Sequence, residues 1–187
     1  MVCFSRDSLE KIRKEEILAG LRDSKQLSEE KRNAFAKEIL IHALRWKVVF
    51  VSAKFIDRWN INQAIFYGIN RAIPSEFVKE PFLFVDGNYK IKISKPILGY
   101  QSFTKGDDLL PSISAASILA KTFRDQYLIN LEKKYPGYGF AKHKGYGTEF
   151  HRKQIVKLGI SPVHRLSFLK FLRKEKEEGL FDYGESV

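Results

Sequence analysis

The amino-acid sequence predicts an α/β domain in which short buried strands alternate with helices. Three observations carry that prediction. Trp46–Val51 and Phe82–Val85 are short β-branched and aromatic runs, apolar on both parities, as strands covered on both faces are. Longer stretches between and after them repeat apolar residues at the helical period. Strands and helices also interleave along the chain, the pattern of a layered α/β domain.

Taken in order, Val2–Phe4 reads as the end of a strand. Ser28 is placed to cap a helix, with Glu29 and Glu30 in the first turn where the dipole favours acids. Phe35, Ile39 and Ala43 then recur on one face of it. After the strand at Trp46–Val51, a helix is expected over about Asp57–Ala72, with Ile61, Ala64, Ile65, Gly68 and Ile69 inward. The strand Phe82–Val85 stops at Asp86-Gly87-Asn88, and Tyr100–Thr104 is a further strand running into Lys105-Gly106-Asp107. From about Leu110 to Lys134, Ile113, Ala116, Ser117, Ala120, Phe123 and Tyr127 form a small-residue stripe suited to packing on a sheet. Two shorter helices are expected at about Thr148–Leu158 and Val163–Lys174.

The length of 187 residues suits a single domain spanning 1–187, with a charged tail from about Arg173 to Val187. The tail's Lys/Glu run reads as a solvated helix end. A hydrophobic fraction of 44% excludes a disordered chain. A formal charge of +11 points to a polyanionic partner ahead of mere solubility. The lone Cys3 excludes an intramolecular disulfide framework and suits a reducing compartment. No apolar run approaches the ~20 residues of a membrane helix, and MVCFSRDSLEK lacks a signal peptide's layout. The cytoplasm is therefore the expected location, with no membrane partner.

Two acids stand at strand ends, Asp86 and Asp107. Sites in open α/β sheets gather there, and hard cations require converging carboxylate oxygens. The alternative is structural: Asp86 opens an Asp-Gly turn and Asp107-Asp108 caps the next helix. Two carboxylates without companions do not decide between these. Phe140–Thr148 gathers Lys142, Lys144, Tyr146, Gly145 and Gly147 in one loop ahead of a helix. The lysines suit phosphates and Tyr146 suits a sugar or base face, while the glycines would admit close backbone approach. An ordinary loop with an inward Tyr146 is the competing reading. Arg22-Asp23-Ser24-Lys25 is a polar loop that could touch phosphate. His42, His143, His151 and His164 show no metal-ligand spacing and read as surface or structural residues. Cys3 has no evident His partner to make it a nucleophile.

Six segments together resemble the ribonuclease HII family. They are GLRDSKQLSEEKR (Gly20–Arg32), IDRWNINQA (Ile56–Ala64), FVDGN (Phe84–Asn88), KGDDLLPSISAASILAKTFRD (Lys105–Asp125), YGFAKHKGYGTEFH (Tyr138–His151) and SPVHRLSF (Ser161–Phe168). The resemblance implies a ribonuclease H-like fold, a mixed central sheet flanked by helices, with a C-terminal helical region. It implies an endonuclease that cuts RNA in RNA–DNA hybrids and 5′ of single ribonucleotides in duplex DNA. Two-metal hydrolysis with Mg2+ or Mn2+ would follow, in a protein expected to be a monomer. On the matching positions, Asp86 and Asp107 would be the metal-binding carboxylates, and Tyr146 would stack on the deoxyribose after the ribonucleotide. Lys144, Lys25, Ser24, Lys121 and Ser117 would be further nucleic-acid contacts.

One part of the family pattern is unmatched. The resemblance implies an opening strand ending in Asp-Glu-Ala-Gly-Arg-Gly, and nothing in residues 1–19 corresponds to it. The first expectation is that this central strand lies upstream of Met1, outside these 187 residues, ahead of a gene remnant or a shortened protein that binds nucleic acid without cutting. Residues 1–187 alone would then bind nucleic acid and cut weakly or not at all.

Overall fold

The computed structural model describes residues 1–21, 27–75 and 80–172. The loop bearing Ser24 and Lys25 and the charged tail from 173 onward lie outside the described residues. The chain forms two compact units, Met1–Phe50 with Phe66–Tyr127, and Val51–Ile65 with Leu128–Val187.

In the first unit, β1 (Val2–Cys3) leads into α1 (Arg6–Arg13), which the sequence reading did not anticipate. Its start is fixed by Ser5, whose hydroxyl oxygen accepts from the Ser8 N–H at 3.0 Å. α2 (Glu29–His42) begins at the expected cap, the Ser28 hydroxyl accepting from the Lys31 N–H at 3.2 Å. β2 (Arg45–Trp46) pairs antiparallel with β1, Val2 opposite Trp46. Of the buried strand expected over Trp46–Val51, only Trp46 is in a strand, and it is exposed. Beyond Trp46 the chain leaves the ladder, and Phe50 is exposed against the ring of Tyr127 at 5.1 Å.

α3 (Ala53–Ala72) contributes to both units and is interrupted at Asn60 (φ 68°, ψ 171°). There the Asn60 side-chain oxygen accepts from the Gln63 N–H at 3.1 Å and so caps the following turns. Of the residues expected inward, Ala64 is buried and Ile65, Gly68 and Ile69 are half-buried, but Ile61 is exposed beside the break.

β3 (Phe82–Asp86) and β4 (Gly99–Phe103) are parallel, in register from Phe82 opposite Gly99 to Asp86 opposite Phe103. β3 is not covered on both faces as its apolar run suggested. Phe82 and Phe84 are exposed, alternating with half-buried Leu83 and Val85. Among the described residues, β4 is its one hydrogen-bonded neighbour.

α4 (Gly106–Leu109) and α5 (Pro111–Lys134) follow. The buried face of α5 carries Ile113, Ala115, Ile118 and Leu119, while Ala120 and Tyr127 are exposed. Each residue step turns a helix by about 100°, so choosing the larger aliphatics over the small-residue stripe rotates the buried face. Ala115, Ile118 and Leu119 pack with Phe4, Ile12, Leu18, Leu21 and Ile39 as the core of the unit. The buried Ser114 hydroxyl donates to the Leu21 carbonyl at 2.7 Å, and Arg32 of α2 pairs with Asp125 of α5 at 2.7 Å.

The second unit has its own core of Leu128, Leu131, Tyr138, Phe140 and Ile155. It contains α6 (Phe140–His143) and α7 (Glu149–Leu158), the latter capped by Thr148, whose hydroxyl accepts from the His151 N–H at 3.2 Å. The helix expected over Val163–Lys174 is, in its described part, a 3-10 turn at Leu166–Phe168 followed by a short helical stretch at 171–172. Asp57 captures this segment: its carboxylate accepts from the Leu166 N–H at 2.8 Å, the Ser167 N–H at 3.1 Å and the Ser167 hydroxyl at 2.6 Å. No helix among the described residues is long and apolar enough to cross a membrane.

Candidate active site

The parallel pairing of β3 and β4 puts both C-terminal strand ends on one side of the pair. β3 ends at Asp86, and the Gly87 N–H donates to the Phe103 carbonyl at 2.8 Å. After β4 the chain turns through Lys105 (φ 56°), and the Gly106 N–H donates to Asp86 Oδ1 at 2.9 Å. Asp107 is the next residue, only 6% exposed in the first turn of α4, whereas Asp86 is exposed. The Asp86 carboxylate is thus bonded to the amide of the residue that precedes Asp107. Space for a side chain is tight at Gly106: a Cβ would stand 2.7 Å from Ile113 Cδ1 and 3.0 Å from Phe103 Cβ.

The donor chemistry suits a hard divalent cation, since both groups offer carboxylate oxygens. The number does not. Among the described residues no group of three or more His, Cys, Asp or Glu side chains is placed to hold a metal ion. Ser117 and Lys121, one turn apart on α5, belong to the same unit; Ser117 is half-buried and Lys121 exposed.

Tyr146 and Lys144 lie in the second unit. Tyr146 is 65% exposed, so it does not pack inward. Its N–H donates to the His143 carbonyl at 2.9 Å, and its own carbonyl accepts from the Thr148 N–H at 2.9 Å. Lys144 (φ 50°) and Gly145 (φ 76°) make the turn that presents it. Gly147 does not use a glycine's freedom, since a Cβ there would meet nothing nearer than Arg152 Nε at 4.0 Å.

Around this loop stands a histidine cluster whose geometry the sequence did not reveal. His143 and His151 stack with ring centres 4.0 Å apart, and His151 Nε2 lies 3.0 Å from His164 Nε2. Burial pushes both His151 and His164 below the ordinary histidine value of 6.5, and the neighbouring His143 adds to the effect. Both rings are buried and hydrogen-bonded within the second unit. The one clue was that three of the four histidines fall between 143 and 164.

The family model for Ribonuclease HII matches residues 6–171. The chain belongs to the ribonuclease HII family. Ribonuclease HII of Desulforamulus reducens is 41% identical over 151 residues, covering 81% of this chain and 75% of that protein. Ribonuclease HII of Caldicellulosiruptor bescii is 43% identical over 156 residues, covering 82% and 73%. Among solved structures, ribonuclease H2 of Pyrococcus horikoshii OT3 shares the fold with a TM-score of 0.72 at 21% identity, covering 96% of this chain and 89% of that one. Ribonuclease HII of Archaeoglobus fulgidus, solved in complex with PCNA, does so with a TM-score of 0.65 at 23% identity, covering 91% and 85%. All six sequence segments that resemble ribonuclease HII lie within the matched residues, and the protein is by family a nuclease of the hydrolase class.

Proposed function

We propose that this chain is an endonuclease that cuts RNA in RNA–DNA hybrids and duplex DNA 5′ of an embedded ribonucleotide. The observation that supports the reading is the Gly106 N–H to Asp86 Oδ1 bond of 2.9 Å, which ties the Asp86 carboxylate to the residue preceding Asp107 in a chain of the ribonuclease HII family. Asp86 and Asp107 would hold Mg2+ or Mn2+. When bound, the cation supplies water activation and neutralises charge on the leaving 3′-oxygen. The Gly106 amide fixes which way the Asp86 carboxylate turns. The exposed Tyr146 ring would lie against the deoxyribose after the ribonucleotide, and Lys144, Lys121, Ser117, Ser24 and Lys25 would contact the backbone. The +11 charge supports a polyanionic substrate. The same reading has the 187 residues working as a single domain, a monomer in the cytoplasm.

A second reading is that these residues bind such duplexes without cutting them. It is favoured by the two-carboxylate set, which lacks a third ligand among the described residues. One experiment separates the two: the purified chain is incubated with excess Mn2+ and a DNA duplex carrying one ribonucleotide, and nicking and binding are both measured. Nicking 5′ of the ribonucleotide, reduced on the order of 100-fold by Asp86→Asn or Asp107→Asn, supports the endonuclease. Salt-sensitive binding without nicking supports the second reading. Nicking that survives both substitutions refutes the metal-site assignment.

A further inference from the structure

A relay of imidazole and backbone hydrogen bonds closes onto Tyr146. The Ser161 N–H donates to His164 Nδ1 at 3.0 Å, and the Ser161 hydroxyl lies 2.8 Å from the same nitrogen. A peptide N–H can only donate, so Nδ1 holds the lone pair and the neutral His164 ring keeps its proton on Nε2. That proton points to His151 Nε2, 3.0 Å away, which must accept it. His151 therefore carries its own proton on Nδ1, 3.0 Å from the Tyr146 carbonyl. His143 is fixed by the same logic: Gly145 N–H donates to its Nδ1 at 3.1 Å, leaving Nε2–H to donate to the Tyr138 carbonyl at 2.8 Å. Two peptide N–H groups thus decide three tautomers, and the Tyr146 peptide is held at both its N–H and its C=O.

We infer that His151, oriented by His164 and Ser161, is a positioning residue that sets Tyr146 for its nucleic-acid contact, and that it does so only while the imidazoles are neutral. This rests on the reading of Tyr146 given above. A second proton on His151 would go to Nε2, where it meets the His164 Nε2–H at a separation of 3.0 Å, donor against donor. A second proton on His164 would go to Nδ1 and meet the Ser161 N–H. Either event breaks the relay. The groups around it do not offset a positive charge. His143 of α6 stacks on His151, and Lys142 and Lys144 flank it in sequence. On α7, Glu149 pairs with Lys153 at 2.7 Å and Arg152 lies over Phe171, while Arg165 lies over Phe168. The Tyr138 phenol donates to the Gly159 carbonyl at 2.9 Å. Burial of the two rings acts in the same direction, favouring their neutral forms.

The test uses the full chain and a fluorescein-labelled DNA duplex carrying one ribonucleotide, with affinity read by anisotropy. Tyr146→Ala is expected to weaken binding by about tenfold. His151→Phe keeps a ring of similar size but removes both bonds; it is expected to weaken binding several-fold alone and not at all in the Tyr146→Ala background. Between about pH 7.5 and about pH 5.5, the affinity ratio of wild type to His151→Phe should fall toward one. Independently of any variant, NMR of the 15N-histidine-labelled chain near pH 7.5 should find His151 as the Nδ1–H tautomer and His143 and His164 as Nε2–H tautomers. Additive losses, a pH-independent ratio, or an Nε2–H or cationic His151 would overturn the inference. Unchanged binding by Tyr146→Ala would instead refute the contact beneath it, whatever the tautomers. Should His151→Phe fail to fold, the tautomers decide.

Discussion

Replacing Gly106 with alanine tests the architecture of the carboxylate pair without touching either carboxylate. The new Cβ would stand 2.7 Å from Ile113 Cδ1, 3.0 Å from Phe103 Cβ and 3.5 Å from Asp86 Oδ1. Carbon atoms pack at ~3.5–4.0 Å, so the first contact is short by about 1 Å. The Ile113 Cδ1 methyl is the free end of a buried side chain and would have to turn aside within the core, whereas the Phe103 Cβ moves only with its strand backbone. Overpacking of this kind costs about 1–3 kcal/mol. For a chain of this size that is a fall of roughly 2–12 °C in Tm. Because Asp86 is exposed, its bond to the Gly106 amide adds less to the loss than the steric term. The strain falls on the link between β4 and α4, so Asp107 should shift from Asp86 and Mn2+-dependent nicking should drop with stability. Ile113→Val removes the offending Cδ1 at a cost of about 0.5–1.5 kcal/mol alone. Combined with Gly106→Ala it should restore part of the loss, and urea unfolding of the four proteins measures that coupling. Strict additivity, or a Gly106→Ala protein as stable as wild type, would refute the reasoning.

Further predictions follow from the same contacts. Asp125→Ala strips the partner from Arg32, whose pair at 2.7 Å has side chains 16% and 15% exposed. Breaking a fully buried pair costs ~3–5 kcal/mol, so about 2–3 kcal/mol is expected here by urea unfolding, and a loss under about 0.5 kcal/mol would mean the pair is solvated. The lowered pKa values of His151 and His164 fix a sign. Below the ordinary value of 6.5 the unfolded chain takes up protons that the folded rings resist. Their stabilising contribution is therefore complete above 6.5 and lost as pH falls through the lower folded values. The urea midpoint should drop between about pH 7 and about pH 5, and less steeply in His164→Gln; equal slopes would contradict the assignment. Tyr146→Ala should leave the urea midpoint nearly unchanged, because its ring is exposed, while weakening duplex binding about tenfold.

Where a local rule decides the structure, the sequence was sufficient. Ser28 caps the helix it was expected to cap, and Thr148 caps the helix expected to start there, because capping depends on residues two or three positions away. Asp86 and Asp107 follow strands that pair in parallel, the neighbouring arrangement on which their meeting depends. The reading failed where distant partners decide. The 3-10 turn at Leu166–Phe168 depends on Asp57, more than a hundred residues earlier, and no periodicity near Val163 encodes it. Apolar content on both parities marked Phe82–Val85 as a strand, but it could not say that Phe82 and Phe84 would stand exposed. The imidazole relay escaped for a related reason. Spacing rules identify side chains that meet on one helix, whereas His143, His151 and His164 come from α6, α7 and the segment after it.

The claim on which the rest depends is that Asp86 and Asp107 serve a single divalent cation. Titration of the 187-residue chain with Mn2+, followed by electron paramagnetic resonance, reads this without any nucleic acid or turnover. The account predicts a weak site that Asp86→Asn and Asp107→Asn each abolish, with nothing further lost in the double variant. Binding that persists in either single variant, or that declines in two independent steps, would contradict it.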